Sequence, residues 1–132
     1  MKLLLFIFYL LTFAACRDHT DLAGQLKRIT DSYKAYKMDK VLAEFAPNVE
    51  YLPIVGGRQI PGRFEHLRKW LYWLRQNNLR VEFNHVRTRK GPAVTEADYQ
   101  LTHWNYHREY KQTGTIYVSK STGKIIKITR VE

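Results

Sequence analysis

The chain has 132 residues, of which 45% are hydrophobic and 14% aromatic, a length and composition that fit one folded domain and exclude an intrinsically disordered chain. It carries 22 lysines and arginines against 12 aspartates and glutamates, a net charge of +10. Such a surplus is typical of proteins that contact anionic partners, and equally of a well-solvated basic surface. A single cysteine excludes an intrachain disulfide framework, so packing must hold the fold together.

The first sixteen residues have the pattern of an export signal. Lys2 gives a positive start, and Leu3–Ala15 follows without a charged residue. This run has the length of the hydrophobic region of a secretory signal (~7–15 residues) and is too short to span a bilayer (~20 residues). Two alanines then precede Cys16, which resembles the lipobox of bacterial lipoproteins. We expect residues 1–15 to be a cleaved signal peptide and Cys16 to be acylated; the alternative is an ordinary secreted protein with one buried cysteine.

The residues after Cys16 predict where the protein would reside. Cys16–Asp21 would be a tether of at most ~20 Å, with the domain over residues 22–132. Only Lys2 is lost from the basic residues, so the anchored chain would keep a net charge of +9. Arg17 is not the aspartate that retains lipoproteins in the inner membrane. We therefore expect a lipid-anchored protein of the bacterial cell envelope, with the outer membrane favoured, that contacts anionic lipid and no nucleic acid.

Hydrophobic periodicity predicts two helices, a short strand and a third helix. The first helix has an apolar stripe at helical spacing, formed by Leu22, Leu26, Ile29, Tyr33 and Tyr36. Lys40–Phe45 is predicted as a second helix with Asp39 as its N-cap, and Val49–Ile54 as a strand. The third helix is predicted over Phe64–Gln76 and ends at the Asn77-Asn78 pair.

The remaining sequence predicts four strands separated by turns. They are predicted over Leu79–Arg89, Ala93–Trp104, Glu109–Ser119 and Lys124–Val131, with Gly114 as a β-bulge. Because these strands follow one another without helices between them, we predict an antiparallel sheet and an α+β fold.

Three stretches resemble the nuclear transport factor 2-like (NTF2-like) superfamily, which includes ketosteroid isomerase and SnoaL-type polyketide cyclases. Lys37–Tyr51 (KMDKVLAEFAPNVEY) is similar to its second helix and first strand, Gly62–Leu67 to the start of its third helix, and Gly123–Ile128 (GKIIKI) to the start of its last strand. The resemblance implies a cone in which a curved antiparallel sheet wraps around three N-terminal helices, with a pocket at the wide end. It does not imply a chemistry.

The resemblance to ketosteroid isomerase does not extend to the catalytic positions. The general base would fall just after Tyr51, where this chain has Leu52 and Pro53, and the acid donor near Thr115. The catalytic tyrosine would fall near Ile29. None of these side chains suits its role, so we do not expect isomerase chemistry of that type.

The sequence predicts neither a metal site nor a cofactor. Its five histidines lack the spacing of metal ligands, and no nucleophile motif or phosphate-binding loop is present. The histidines are His19, His66, His85, His103 and His107.

The last strand provides the most specific candidate site. Ile126, Ile128 and Arg130 alternate with polar residues and so share one strand face, which the resemblance directs into the cone. Arg130 would there contact the carboxylate or phosphate of an amphipathic ligand; the alternative is a pair with a rim carboxylate such as Glu50 or Glu132. Further candidate lining residues are Tyr33, Trp70, Tyr99, Tyr117, His85 and His103.

Three interpretations follow. The first is a membrane-anchored, non-catalytic domain that binds a small amphipathic or anionic ligand or a protein partner. The second is a polyketide-cyclase-like enzyme with His85 or His103 as general base. The third is a homodimeric interaction module, docking through an apolar patch of Trp104, Ile125 and Val131 on the outer face of the sheet.

Overall fold

The computed structural model describes residues 21–131. The predicted signal peptide, Cys16 and the tether up to residue 20 lie outside this range, as does Glu132. Within it, the helices are α1 (Leu22–Lys34), α2 (Met38–Leu42) and α3 (Phe64–Gln76). The strands are β1 (Phe45–Val55), β2 (Arg58–Gln59), β3 (Arg80–Lys90), β4 (Val94–Asn105), β5 (Arg108–Ser119) and β6 (Ile125–Val131).

Helix α1 forms where the apolar stripe predicted it. Asp21 caps it, because its side chain accepts a hydrogen bond from the Gly24 N–H at 3.0 Å. The inclusion of Tyr36 in the stripe was wrong. The helix ends at Lys34, and Tyr36 follows in the left-handed conformation (φ 64°) with 75% of its surface exposed.

The second helix and first strand differ from the prediction at their shared boundary. Helix α2 begins at Met38, so Asp39 lies in its first turn and is not its N-cap. Phe45, predicted to end that helix, begins β1, which is longer than predicted. A two-residue loop, Gly56-Gly57, turns β1 into β2, and both glycines have the positive φ that such a tight hairpin requires.

The sheet has the strand order β2-β1-β6-β5-β4-β3. Strands β3 to β6 pair antiparallel with their neighbours, but β1 pairs parallel with β6, aligning Tyr51 with Ile128 and Pro53 with Arg130. The α+β class and the curved sheet are confirmed, and the sheet is mixed where a wholly antiparallel one was predicted. Because β6 comes last in the chain and inserts beside β1, it occupies the middle of the sheet.

The core fills the space between the helices and the concave face of the sheet. Every core side chain is nearly or completely inaccessible to solvent. Its main contributors are Leu22, Leu26, Ile29 and Tyr33 of α1, Leu67, Leu71 and Leu74 of α3, and Val81, Phe83, Ala97, Leu101, Ile116 and Ile128 of the sheet.

Where β5 pairs with β6, the irregularity lies in β6 and not at Gly114. The register also shifts in β1, between Phe45 and Glu50, and in β3, between His85 and Arg87. Gly114 pairs in register with Tyr99 on one side and Arg130 on the other, so the predicted bulge there was wrong. A Cβ at Gly114 would lie 2.5 Å from Tyr99 Oη, so glycine is required by the close approach of that ring. The register instead shifts where Tyr117 faces Lys127 and Val118 faces Ile125, which leaves Ile126 as the extra residue.

The convex face of the sheet carries a charged network centred on Asp98 of β4. Arg89 donates to Asp98 Oδ1 at 2.8 Å, Arg87 to Oδ2 at 3.0 Å, and Thr115 to Oδ1 at 2.8 Å. These bonds, the Arg89 bond above all, hold the pKa of the Asp98 carboxyl far below its usual range. The predicted apolar patch on this face was wrong for Ile125, which is completely buried in the core.

Candidate ligand-binding site

Arg130 projects into the interior of the domain. It lies on β6 two residues after the buried Ile128, opposite Gly114 of β5 and Pro53 of β1. Only 5% of its surface is exposed. Its position on the same face as Ile128 agrees with the predicted alternation, but the guanidinium is buried and does not lie at an open pocket mouth.

Among residues 21–131, the side chains of Tyr51, Gln112 and Trp70 contact the guanidinium. Arg130 Nη2 and Nε donate to the Tyr51 hydroxyl at 2.8 and 3.2 Å, and Nη1 donates to Gln112 Oε1 at 3.3 Å. The guanidinium carbon lies 4.5 Å from the centre of the Trp70 ring, and Trp70 stacks on Tyr51 at 5.7 Å. We call these four residues the Arg130 cluster. Their contacts hold a cation in one orientation by planar stacking and hydrogen bonds.

The elements that carry the Arg130 cluster explain why its members meet. Tyr51 is on β1, Gln112 on β5 and Arg130 on β6, and these three strands are adjacent in the sheet. Trp70 comes from α3, one residue before the buried Leu71, and so reaches the sheet from the helix layer. The parallel pairing of β1 with β6 is what brings Tyr51 to Arg130.

Tyr99 supports the Arg130 cluster from β4. Its ring is completely buried, packs against Phe83 at 5.6 Å, and its hydroxyl donates to the Thr129 backbone oxygen at 2.6 Å. Burial raises the pKa of this phenol well above its usual range, so Tyr99 remains neutral. Its hydroxyl therefore fixes β6 in position next to Arg130.

His103 and Tyr110 extend the same face toward the β4–β5 turn. They are register partners, and their rings stack at 5.0 Å and 12°. Both side chains lie two residues beyond the neighbouring pair Leu101 and Gln112, so strand alternation places them on the concave side. His103 is half-buried.

The other predicted lining residues are not brought to the Arg130 cluster. Tyr33 is buried between α1 and β3, where its hydroxyl donates to the Leu79 backbone oxygen at 2.7 Å. His85 is exposed and bonds Thr88 Oγ1 at 2.7 Å. Tyr117 alternates with the buried Ile116 and Val118, so it faces the convex side.

The bulge also separates two residues that the sequence placed on one face. Ile126 is half-buried and has no register partner on β5, whereas Ile128 is buried in the core. A strict two-residue alternation from Ile126 to Arg130 therefore fails at this position. Ile128 and Arg130, which follow the bulge, keep the predicted face.

Sequence reasoning missed Tyr51 and Gln112. The sequence did contain a signal for each. Tyr51 is two residues from Val49 and Gln112 is two residues from Gly114, so each shares a strand face with that residue. Nothing in the sequence states which strands flank β6, and so neither residue could be assigned to Arg130 by pattern alone.

The geometry suits binding of an anionic group. A planar guanidinium matches the two oxygens of a carboxylate or phosphate, and the phenol and carboxamide beside it add neutral polar contacts. Within residues 21–131 no three histidine, aspartate or glutamate side chains come together as metal ligands. Thr115, near the expected acid donor of an isomerase, instead bonds Asp98 on the convex face.

No protein-family model and no curated protein sequence matches the chain. Solved structures match it in fold. An NTF-2 like protein of unknown function from Shewanella oneidensis MR-1 is 11% identical, with 85% of this chain and 97% of that chain aligned and a TM-score of 0.66. A putative polyketide cyclase from Xanthomonas campestris pv. campestris is 14% identical, with 86% and 92% aligned and a TM-score of 0.56.

A third similar structure is a domain of unknown function with a cystatin-like fold from Nostoc punctiforme PCC 73102. It is 9% identical, with 88% of this chain and 77% of that chain aligned and a TM-score of 0.67. At these identities the likeness concerns the fold. The chain has an NTF2-like fold, as its sequence predicted.

Proposed function

We propose that this domain is a non-catalytic binding protein for a small amphipathic ligand whose carboxylate or phosphate contacts Arg130. The observation that carries the proposal is an arginine of which only 5% is exposed, with its guanidinium over the Trp70 ring and hydrogen-bonded to Tyr51 and Gln112. An anion that reaches this guanidinium makes charge-assisted hydrogen bonds in a region of low dielectric, where they are stronger than at a surface.

The surroundings of Arg130 suit an apolar ligand body. The flat ring of the half-buried Trp70 lies beside it and stacks on Tyr51, whereas Ile128, on the same strand face, is buried in the core. Small-molecule sites combine such an apolar lining with few polar groups that fix orientation. The ligand class is therefore a short amphipath with one anionic end, such as a medium-chain carboxylate.

We further propose that the chain is a lipoprotein of the bacterial cell envelope. The support is the sequence pattern around Cys16, which lies outside the described residues. None of the helices in residues 21–131 is long and apolar enough to cross a membrane. Acylation of Cys16 would then hold the domain against a membrane, where amphipathic molecules of the proposed ligand class would be within its reach.

A matched ligand pair tests the binding proposal. Decanoate and decanol have the same chain, so their difference in affinity for residues 17–132 isolates the contribution of the carboxylate. Arg130→Met should weaken decanoate binding by about 10- to 100-fold, the effect of a charged hydrogen bond, and leave decanol binding unchanged. Arg130→Lys should lose part of that affinity, because an ammonium lacks the planar fork.

Circular dichroism of each variant provides the control for folding, which matters because Arg130 is buried. Equal affinity of the wild-type domain for decanoate and decanol would contradict the proposal. So would a folded Arg130→Met variant that binds decanoate as tightly as the wild type.

Replacing the cysteine tests the anchor. Cys16→Ser should move the protein from the membrane to the soluble fraction and abolish its lipid mass increment, because the cysteine sulfur is the atom to which the lipid is attached. Fractionation and intact mass spectrometry measure both. A Cys16→Ser protein that still sediments with membranes and carries acyl chains would refute the lipoprotein proposal.

A further inference from the structure

A second concave site lies away from the Arg130 cluster, between the end of α3 and the β4–β5 turn. It encloses about 440 Å³, within the range of small-molecule sites (~300–1,000 Å³). Three aromatic side chains line it, Trp73 of α3, Trp104 of β4 and Tyr106 of the turn, together with Leu79. We call it the aromatic cleft.

The polar part of the aromatic cleft consists of carboxamides. Asn77 and Asn78 follow α3, and Asn105 ends β4. Each carboxamide offers both a donor and an acceptor, and none carries charge. Every lining side chain among the described residues is neutral, in a chain with a net charge of +10.

Two of the three aromatic rings of the cleft are exposed. Trp73 is 54% exposed and Tyr106 is 96% exposed. Arg80 lies 4.8 Å from the Trp104 ring centre and holds that indole in place. Aromatic surface left open next to hydrogen-bonding groups is typical of a binding site and unusual on an inert surface.

The backbone of the aromatic cleft is held in uncommon conformations. Tyr106 has φ 58° at the first position of a two-residue turn, where glycine is favoured. Asn78 has φ 55°, and Asn77 Nδ2 donates to the Trp73 backbone oxygen at 2.8 Å. A tyrosine therefore occupies a strained position at which its ring is not buried.

We propose that the aromatic cleft binds a neutral saccharide with equatorial hydroxyls, such as a β-1,4-linked glucose or N-acetylglucosamine unit. The axial C–H faces of such a ring pack on Trp73, Trp104 and Tyr106. Its hydroxyls, each a donor and an acceptor, pair with the carboxamides of Asn77, Asn78 and Asn105. A phosphate headgroup would require a cation in the lining, and Arg80, which lies over the Trp104 ring, is not among the lining residues. A purely apolar ligand would offer no hydrogen bond to the three carboxamides, of which that of Asn77 already donates to the Trp73 backbone oxygen.

Titration of the full chain with cellotriose and tri-N-acetylchitotriose tests this proposal. The protein is kept in a non-glycosidic detergent, and tryptophan fluorescence and calorimetry report binding. We expect saturable binding of at least one of the two sugars, with a Kd on the order of 1 mM or lower. Trp73→Ala should raise that Kd about tenfold or more.

Three variants test whether sugar binding depends on the aromatic cleft and not on residues outside it. Tyr72→Ala removes the neighbouring exposed ring of α3, which does not line the cleft, and should leave the Kd unchanged. Tyr106→Gly should weaken binding while the melting temperature holds or rises, because glycine accepts the positive φ. Arg130→Met should leave sugar binding intact, so this test does not depend on the proposed function.

Absence of saturable binding to either sugar at ~10 mM, about tenfold above the expected Kd, would overturn the proposal. An unchanged Kd in Trp73→Ala, or an equal loss in Tyr72→Ala, would also overturn it. If the sugars do not bind but Trp73→Ala abolishes association with phosphatidylcholine vesicles, the cleft contacts lipid and the saccharide assignment is wrong.

Discussion

The strand face of Arg130 could be predicted from the sequence, whereas the extent of its burial could not. Strand alternation correctly predicted that Arg130 lies on the same face of β6 as Ile128. Its burial comes from Trp70 and Tyr51, which reach it from α3 and β1. These contacts join residues 60 and 79 positions apart in the chain, so no local pattern contains them.

Gly114 is a second residue whose role depends on a distant partner. From sequence, a glycine within a strand indicates either a bulge or a close approach of another group. The structure selects the close approach, because Tyr99 and the Thr129 backbone lie where a Cβ would be. Only the register of β4 against β5 distinguishes the two.

Asp98 leads to a prediction on pH. Its lowered pKa means that its ion pairs stabilise the fold above about pH 4, where the unfolded carboxyl is ionised, and that this stabilisation is lost progressively as the pH falls toward the folded-state pKa. Asp98→Asn removes that dependence. The variant should have a lower melting temperature than the wild type at pH 7. This difference in melting temperature, measured by thermal unfolding, should narrow between pH 5 and pH 2.

Glu65→Gln provides a matched carboxyl control, since Glu65 is an exposed carboxylate in the first turn of α3. The difference in melting temperature between Glu65→Gln and the wild type should stay small from pH 7 to pH 2. A constant gap for Asp98→Asn from pH 7 to pH 2 would show that the arginine pairs of Asp98 do not stabilise the fold.

Among the elements, those with strong periodicity were predicted best. Helix α3 begins and ends at the predicted residues, because its stripe is long and the Asn77-Asn78 pair ends it. Helix α2 is only five residues long, and its boundary with β1 was misplaced, since one turn of helix gives too few repeats to define a period. The bulge at Ile126 was missed because Ile125 and Ile126 are equally apolar.

Helix α1 and the turn after it lead to a prediction about the membrane surface, since Lys27 and Lys34 lie on α1 and Lys37 follows it. Lys27, Lys34 and Lys37 follow the short tether closely, and each cation near an anionic surface contributes up to about 1 kcal/mol. Lys27 lies 3.7 Å from Asp31 and Lys34 4.0 Å from Glu82, so their contributions should be smaller. Replacing all three with glutamine should weaken binding to anionic vesicles at low salt.

The control replaces Lys90 and Lys111, which lie on β3 and β5, and Lys120, in the turn after β5, and changes the net charge equally. Sedimentation with vesicles of phosphatidylglycerol measures both variants, and added salt should release the wild type. Equal weakening of vesicle binding in the two triple variants would mean that net charge, and not the position of Lys27, Lys34 and Lys37, determines the affinity.

At the scale of the whole molecule, the sequence predicted the class of the fold but not its connectivity. Helices followed by a run of strands indicated α+β, and the order of motifs indicated the NTF2-like cone. The parallel pairing of β1 with β6 was not predictable, because strand order within a sheet follows from packing of the whole chain. The Arg130 cluster depends on that pairing, so its composition could not be read from the sequence.

The central claim is that the domain holds a small anionic amphipath at Arg130. Native mass spectrometry of the full chain, purified from its own membrane as wild type and as Arg130→Met, tests this claim most directly. The account predicts a non-covalent adduct that ionises as an anion after release, present on the wild type and lost from the folded variant. The same adduct on both proteins, or none on either, would contradict it.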